Sequence, residues 1–263
     1  MPKNFGQNWI LLRGLARESG HWGSFIPLLQ ATFPEAKITL LDLPGTGSFY
    51  QEISPANIPA ITDWIRQQAL EQGLLKQPLT ILALSLGAMV AWEWMHKYPD
   101  DISGATLMNT SFANLSPFYK RLRWQSYKRF GALLLTRNLY SKELKILQLV
   151  ANQRDQDKQI AQSWEKIQLE RPISFKNSFR QILAAARFRP NDKKPHQPIL
   201  LLNGQRDRLV SSDCSLAIQK KWQLELHSNP WAGHDLTLDD GAWVTLQLAD
   251  WVKQFTPGLA RKA

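Results

Sequence analysis

Short, mostly apolar runs alternate along this chain with longer stretches in which apolar residues recur every three or four positions. The short runs are Trp9-Ile10-Leu11-Leu12, Lys37-Ile38-Thr39-Leu40-Leu41, Leu79-Thr80-Ile81-Leu82, Gly104-Ala105-Thr106-Leu107-Met108, Pro198-Ile199-Leu200-Leu201-Leu202 and Leu224-Glu225-Leu226-His227. Their length and apolar character predict strands. Between them, helices are predicted around Trp22 to Phe33, Ile58 to Leu70, Ala88 to Met95, Ser215 to Trp222 and Gly241 to Phe255. In the second of these, Ile61, Trp64, Ile65 and Gln68 fall at i, i+3, i+4 and i+7, giving most of an apolar face. Strands separated by helices imply βαβ units, hence an α/β fold with a doubly wound, mostly parallel sheet.

The rhythm breaks once. From Phe112 to about Asp192 strand patterns nearly vanish, and Lys142 to Val150, Gln159 to Ile167 and Ser174 to Ala186 read as helices. The expected organisation is a core made of residues 1–111 and 193–263, with a helical insertion at 112–192. Charge sharpens that division. Of 32 Lys or Arg and 22 Asp or Glu in the chain, 18 basic and 6 acidic residues lie between Phe112 and Gln197. That segment therefore carries +12, and the remainder, with 14 basic and 16 acidic residues, carries −2. Lys120-Arg121-Leu122-Arg123-Trp124 and Tyr127-Lys128-Arg129-Phe130 interleave charge with aromatics. Such a face is either simply solvated or selects an anionic partner.

Composition sets further bounds. With 263 residues, 44% of them apolar and eleven Trp, the chain can bury a full core as one domain. The single cysteine, Cys214, excludes an internal disulfide and fits a reducing compartment. The stretch Met1 to Asn8 has no apolar signal region, and no run approaches the roughly 20 apolar residues of a membrane span. A cytoplasmic protein without a transmembrane segment is expected. There is no H-E-x-x-H, no Cys/His cluster and no G-K-[ST] after the glycines of Pro44-Gly45-Thr46-Gly47, so neither metal nor cofactor is expected.

Candidate chemistry centres on Ala83-Leu84-Ser85-Leu86-Gly87, which joins a predicted strand to a predicted helix. Small residues two before and two after the serine would let strand and helix approach closely and leave its hydroxyl exposed. A helix N-cap explains a serine there as well. Other segments extend the pattern: Leu11-Leu12-Arg13-Gly14-Leu15 with Trp22 downstream, Asp42-Leu43-Pro44-Gly45-Thr46-Gly47-Ser48, Gly204-Gln205-Arg206-Asp207-Arg208-Leu209-Val210, and Ala232-Gly233-His234. In this order, each at the end of a predicted strand, they resemble the conserved turns of the α/β-hydrolase superfamily. The resemblance covers nearly the whole chain outside the insertion. It implies a serine esterase with a helical cap, loosely similar to the carboxylesterases that cleave methyl esters on acyl carrier proteins. Arg13 departs from the family pattern, which has His before that Gly.

The chemistry asks for the same residue types. A serine hydroxyl needs a base, and His234 follows the last predicted strand. The imidazole needs a carboxylate, and Asp207 supplies the chain order Ser…Asp…His expected of this fold. The candidate catalytic residues are Ser85, Asp207 and His234, with oxyanion N–H donors from Leu15 and Leu86. Alternatives stay open: Asp207 as a turn residue, Asp213 or Asp235 as the acid, and His234 as a structural histidine. Arg13 either braces its loop by donating to backbone carbonyls or adds positive charge beneath the substrate. His21, Trp22, Arg121 and Arg123 complete the candidate substrate-binding residues.

The expected activity is cleavage of a carboxylic ester or thioester through an acyl-Ser85 intermediate. The substrate is a small molecule, with an anionic group or an acidic carrier protein suggested by the basic insertion. No nucleic-acid module is recognisable. Two alternatives remain: a non-catalytic binding protein on a hydrolase scaffold, and a C–C hydrolase or lyase using the same three residues.

Overall fold

The computed structural model describes residues 5–256; Met1 to Asn4, part of the N-terminal stretch considered above, lie outside them. Six strands form one sheet: β1 (Asn8–Leu12), β2 (Lys37–Leu40), β3 (Leu79–Leu84), β4 (Ile102–Met108), β5 (Ile199–Gly204) and β6 (Glu225–Asn229). Their order is β2-β1-β3-β4-β5-β6 and every pairing is parallel. Each predicted apolar run is one of these strands.

A parallel sheet needs helices on both faces, and two apolar clusters show how this one is covered. Residues alternate between the faces with the strand period of two. Ile10, Leu12, Ile81, Ala83, Ala105, Leu107, Ile199 and Leu201 pack with α2 (Ile58–Glu71), α3 (Leu86–Lys97) and α9 (Asp213–Trp222). Trp9, Leu11, Leu82, Leu84, Met108, Leu200 and Leu202 pack with α1 (Phe25–Thr32) and α10 (Leu236–Phe255). Asp240 leaves helical geometry inside α10 (φ −152°, ψ 67°), so the regular helix starts at Gly241, where apolar spacing places it. The buried stripe of α2 is Ile58, Ile61, Ile65 and Ala69; Trp64 and Gln68, expected on it, are only half-buried. Trp64 packs against the rim of this core and edge-on against Phe49, at 4.7 Å.

Between β4 and β5 run five helices and no strand: α4 (Phe118–Arg121), α5 (Tyr127–Leu135), α6 (Leu139–Val150), α7 (Asp157–Glu170) and α8 (Phe175–Arg187). The first two are short, of four and nine residues, against 12 to 14 in the other three. A small cluster of Leu147, Ala151, Ala161, Trp164 and Ile167 joins α6 to α7. Among the described residues no helix is long and apolar enough to cross a membrane.

Candidate active site

Ser85 sits between β3 and α3 with φ 56° and ψ −112°, a region that non-glycine residues rarely occupy. Such a conformation costs about 1–3 kcal/mol and persists only where its surroundings enforce it. They do so here: the Ser85 N–H donates to Met108 O at 2.8 Å, and Thr110 Oγ1 donates to Ser85 O at 2.9 Å. Gly87 must be glycine, because a Cβ there would lie 2.5 Å from Arg13 O and 2.7 Å from Leu12 O. The close approach of α3 to β1 follows directly. Ser85 is half-buried, whereas its neighbours Leu84 and Leu86 are buried.

The loop after β1 lies against this turn. A Cβ on Gly14 would stand 3.2 Å from Ser85 Cβ and 3.8 Å from Ser85 Oγ. Leu15 follows Gly14 directly, and Leu86 is the first residue of α3, where an N–H has no partner within the helix. Ala16, with φ 56°, donates its N–H to Gln181 Oε1 of α8 at 2.9 Å.

Asp207 and His234 lie in the loops after β5 and β6, at the same C-terminal sheet edge as Ser85. Asp207 Oδ2 is 2.7 Å from His234 Nδ1, and Oδ1 accepts the N–H groups of Leu209 and Val210. Both side chains are buried. Burial pulls the imidazole pKa down, but the Asp207 charge and hydrogen bond, helped by Asp235, outweigh it. The result lies above the ordinary histidine value. The rival carboxylates point elsewhere: Asp213 opens α9 and pairs with Lys120 at 2.9 Å, and Asp235 pairs with Arg13 at 2.5 Å.

The family model described as alpha/beta hydrolase fold matches residues 10–240. The chain belongs to the alpha/beta hydrolase fold family. Among solved structures it is similar to a thermophilic esterase from Thermogutta terrifontis, with TM-score 0.70 and 19% identity over 94% of this chain and 89% of that one. It is also similar to an esterase from a Rhodococcus species, with TM-score 0.73 and 15% identity over 96% and 92% of the two chains. A hydrolase from Oleispira antarctica matches with TM-score 0.71 and 15% identity over 94% and 91%. At these identities the likeness is one of fold. None of the curated proteins matches the chain in sequence.

This alpha/beta hydrolase uses several candidate substrate-binding residues internally. Arg13 is buried; its guanidinium pairs with the Asp235 carboxylate, not with backbone carbonyls, and stacks over the buried Trp22 ring at 4.7 Å. His21 is buried too, with Nδ1 accepting the Glu18 N–H and Nε2 3.0 Å from Arg17. Burial, then the charges of Arg17, Arg13 and Arg171, hold its pKa well below the ordinary value, so the ring stays neutral at neutral pH. Arg121 donates to Ala185 O and Ala186 O of α8, and Arg123 donates to Asp207 O at 2.6 Å. Arg121 thus ties α4 to α8 within the insertion and, through a bond from Nε to Ser111 Oγ at 3.3 Å, to the loop after β4, while Arg123 ties the insertion to the Asp207 loop.

Three residues missed by sequence reasoning hold the site together. Asn109, with φ 45°, donates to Gly233 O and His234 O and accepts from Gly204 N, tying the end of β4 to both neighbouring loops. Gln181 holds the loop after β1 and also donates to Pro44 O. Asp239 accepts the N–H groups of Gly233, Asn152 and Gln153, joining the histidine loop to the α6–α7 turn. An Asn after a strand, or an Asp in a helical first turn, is too common to signal such a role in sequence.

Beside the Asp207 loop lies a cleft of ≈ 340 Å³ lined by Arg129, Ala132, Lys145, Gln148, Arg154 and Arg208. Among the described residues no carboxylate lines it. Arg208 directly follows Asp207 and donates to Gln148 O and Ala151 O. Burial and the charges of Arg154 and Arg129 lower its pKa.

Proposed function

We propose that this alpha/beta hydrolase cleaves a carboxylic ester or thioester through an acyl-Ser85 intermediate. His234, oriented by Asp207, takes the Ser85 proton as Oγ attacks the carbonyl carbon. The same proton passes to the departing alkoxide or thiolate when the tetrahedral intermediate collapses. Water then attacks the acyl-serine, with His234 again the base, and Ser85 leaves with its hydroxyl restored. The N–H groups of Leu86 and Leu15 hold the developing oxyanion, each contributing about 2.7–4 kcal/mol at the transition state. The observation that carries this reading is the 2.7 Å Asp207–His234 pair at the sheet edge from which the strained Ser85 turn emerges. The esterases among the structural neighbours support ester cleavage as the reaction class.

The helical insertion acts in this reading as a cap that selects an anionic substrate, on a small molecule or on an acidic carrier protein. The +12 balance of residues 112–197 and the basic cleft beside Asp207 support that preference. The single cysteine supports a reducing, cytoplasmic setting.

Labelling with a fluorophosphonate, followed by an ester panel varying acyl length and charge, tests both parts. Wild-type protein is expected to label and to turn over short p-nitrophenyl esters. Ser85→Ala is expected to lose labelling and to drop kcat by about 10⁶. Absence of labelling and turnover in the wild type would overturn the acyl-serine reading. A preference for neutral esters would overturn the anionic one, and capture of an acidic carrier that survives high salt would identify the bearer of the charge.

A further inference from the structure

Arg13 and Asp235 are 222 positions apart in sequence, yet their side chains meet at 2.5 Å with 4% and 2% exposure. Arg13 precedes Gly14 and Leu15 in the loop against Ser85; Asp235 follows His234. The pair thus joins the two loops that flank the candidate nucleophile. It is an inefficient way to stabilise a fold. Nε and Nη1 of Arg13 are buried without a hydrogen-bond partner, so the guanidinium is desolvated for one ion pair and a stack on Trp22. Removing charges from water in this way commonly offsets the attraction gained. Asp235, by contrast, is well held, also accepting from Thr237 Oγ1 at 2.8 Å and from the Leu238 N–H at 3.3 Å.

We propose that Arg13 is a positioning residue: through Asp235 it fixes the Leu15 loop relative to the His234 loop, and its charge offsets that of Asp235 beside the imidazole. This inference rests on the acyl-serine reading for its catalytic meaning, although the charge balance exists without it. The charged groups around the histidine are Asp207 after β5, Asp235 next in chain, Arg13 after β1, and Asp239 of α10, which holds the Gly233 N–H. Arg123 of the insertion reaches the Asp207 carbonyl. Two carboxylates favour the imidazolium and Arg13 opposes it, the same direction as the electrostatic contributions at His234. Asp235 itself is held ionised: burial works against its charge, but Arg13 and Thr237 outweigh it.

The test is an NMR titration of ¹³C-labelled histidine, with the His234 signal assigned by His234→Gln, beside kcat and KM profiles against pH. Removing Arg13 as Arg13→Gln leaves the Asp235 charge uncompensated, and the His234 pKa is expected to rise by about one pH unit. The acid limb of kcat/KM moves to higher pH by the same amount, because the base must be neutral. Asp235→Asn is expected to lower the pKa, and the double variant to return it close to wild type. Arg13→Lys keeps the charge and loses the planar stack, so the pKa stays while kcat at plateau pH falls about 10-fold. An unchanged His234 titration in folded Arg13→Gln would overturn the charge offset, and unchanged kcat in both Arg13 variants would overturn the positioning role. Should Arg13→Gln fail to fold, Asp235→Asn and Arg13→Lys decide alone: an unmoved pKa in the first overturns the proposal. The expected pKa changes without any fluorophosphonate labelling would instead refute the acyl-serine reading and leave the charge balance standing.

Discussion

The sheet and the helical insertion are held by different forces. The four central strands, β1, β3, β4 and β5, are buried on both faces, with Ile10, Leu11, Leu12, Ile81, Leu82, Leu200 and Leu202 excluded from water. Burying each such side chain contributes about 1.5–3 kcal/mol, without regard to direction. The insertion instead leaves large apolar side chains at the surface, Phe118, Trp124, Leu135, Leu169 and Phe175 among them. It buries Ala184 and Phe188 in the core beneath the sheet, and docks as well through directed polar contacts. Arg17 pairs with Glu143 of α6 at 2.8 Å and stacks over Trp164 of α7 at 4.5 Å. Arg171, just after α7, forks onto Glu18, and Asn177 of α8 bonds Ser54 N and Glu52 O. All four partners on the core side, Arg17, Glu18, Glu52 and Ser54, are in the loops after β1 and β2, beyond the sheet's C-terminal edge. A segment held this way can change its surface while the site beneath it stays fixed.

The sharpest way to break this contrast is to remove chemistry from the core. Asp207→Asn is expected to reduce kcat by about 10⁴ while leaving the fold intact. The pH profile gives its sign. His234 now titrates above its ordinary value because of Asp207, so activity is lost as pH falls through that raised value. Without the carboxylate charge the acid limb moves to lower pH; a limb that stays put would remove Asp207 from the base.

A smaller effect separates the two regions in stability. Glu143→Ala strands the Arg17 guanidinium, 10% exposed, without its buried partner. Breaking a buried pair from one side costs about 3 kcal/mol. Hydrogen exchange should place that loss in α6, α7 and the loop after β1, with the sheet amides still protected. Equal loss of protection in β3 and β4 would show that the insertion and sheet unfold as one.

The smallest effect concerns Cys214 on α9, which is buried; burial pushes its thiol up to about 11. At pH 8 it carries almost no thiolate, so alkylating reagents should leave the native protein unmodified and inactivate nothing. Rapid modification of the folded protein would contradict the packing of α9 against the sheet.

What could be read from sequence follows the same divide. Strand runs and helical periodicity are local, so the alternating core was legible, as was the Ser85 turn, whose small neighbours at 83 and 87 answer a local steric demand. The edge-on placement of Trp64, the kink at Asp240 and the short helices α4 and α5 were not, because packing and single backbone angles decide them. Arg121 and Arg123 look in sequence like free cations for a substrate. In the structure they donate to the carbonyl oxygens of Ala185, Ala186 and Asp207 and to the Ser111 hydroxyl.

By itself, then, the sequence determined the element order, the two charge regimes and the residue types that gather at one sheet edge. Parallel connectivity brings the ends of β3, β5 and β6 to that edge whatever lies between them. Tertiary structure decided which of three nearby aspartates meets His234, that Arg13 turns to Asp235, and that Asn109, Gln181 and Asp239 lock the loops. Those choices depend on directed contacts between residues up to 222 positions apart. Only the folded backbone sets the distances that such contacts require.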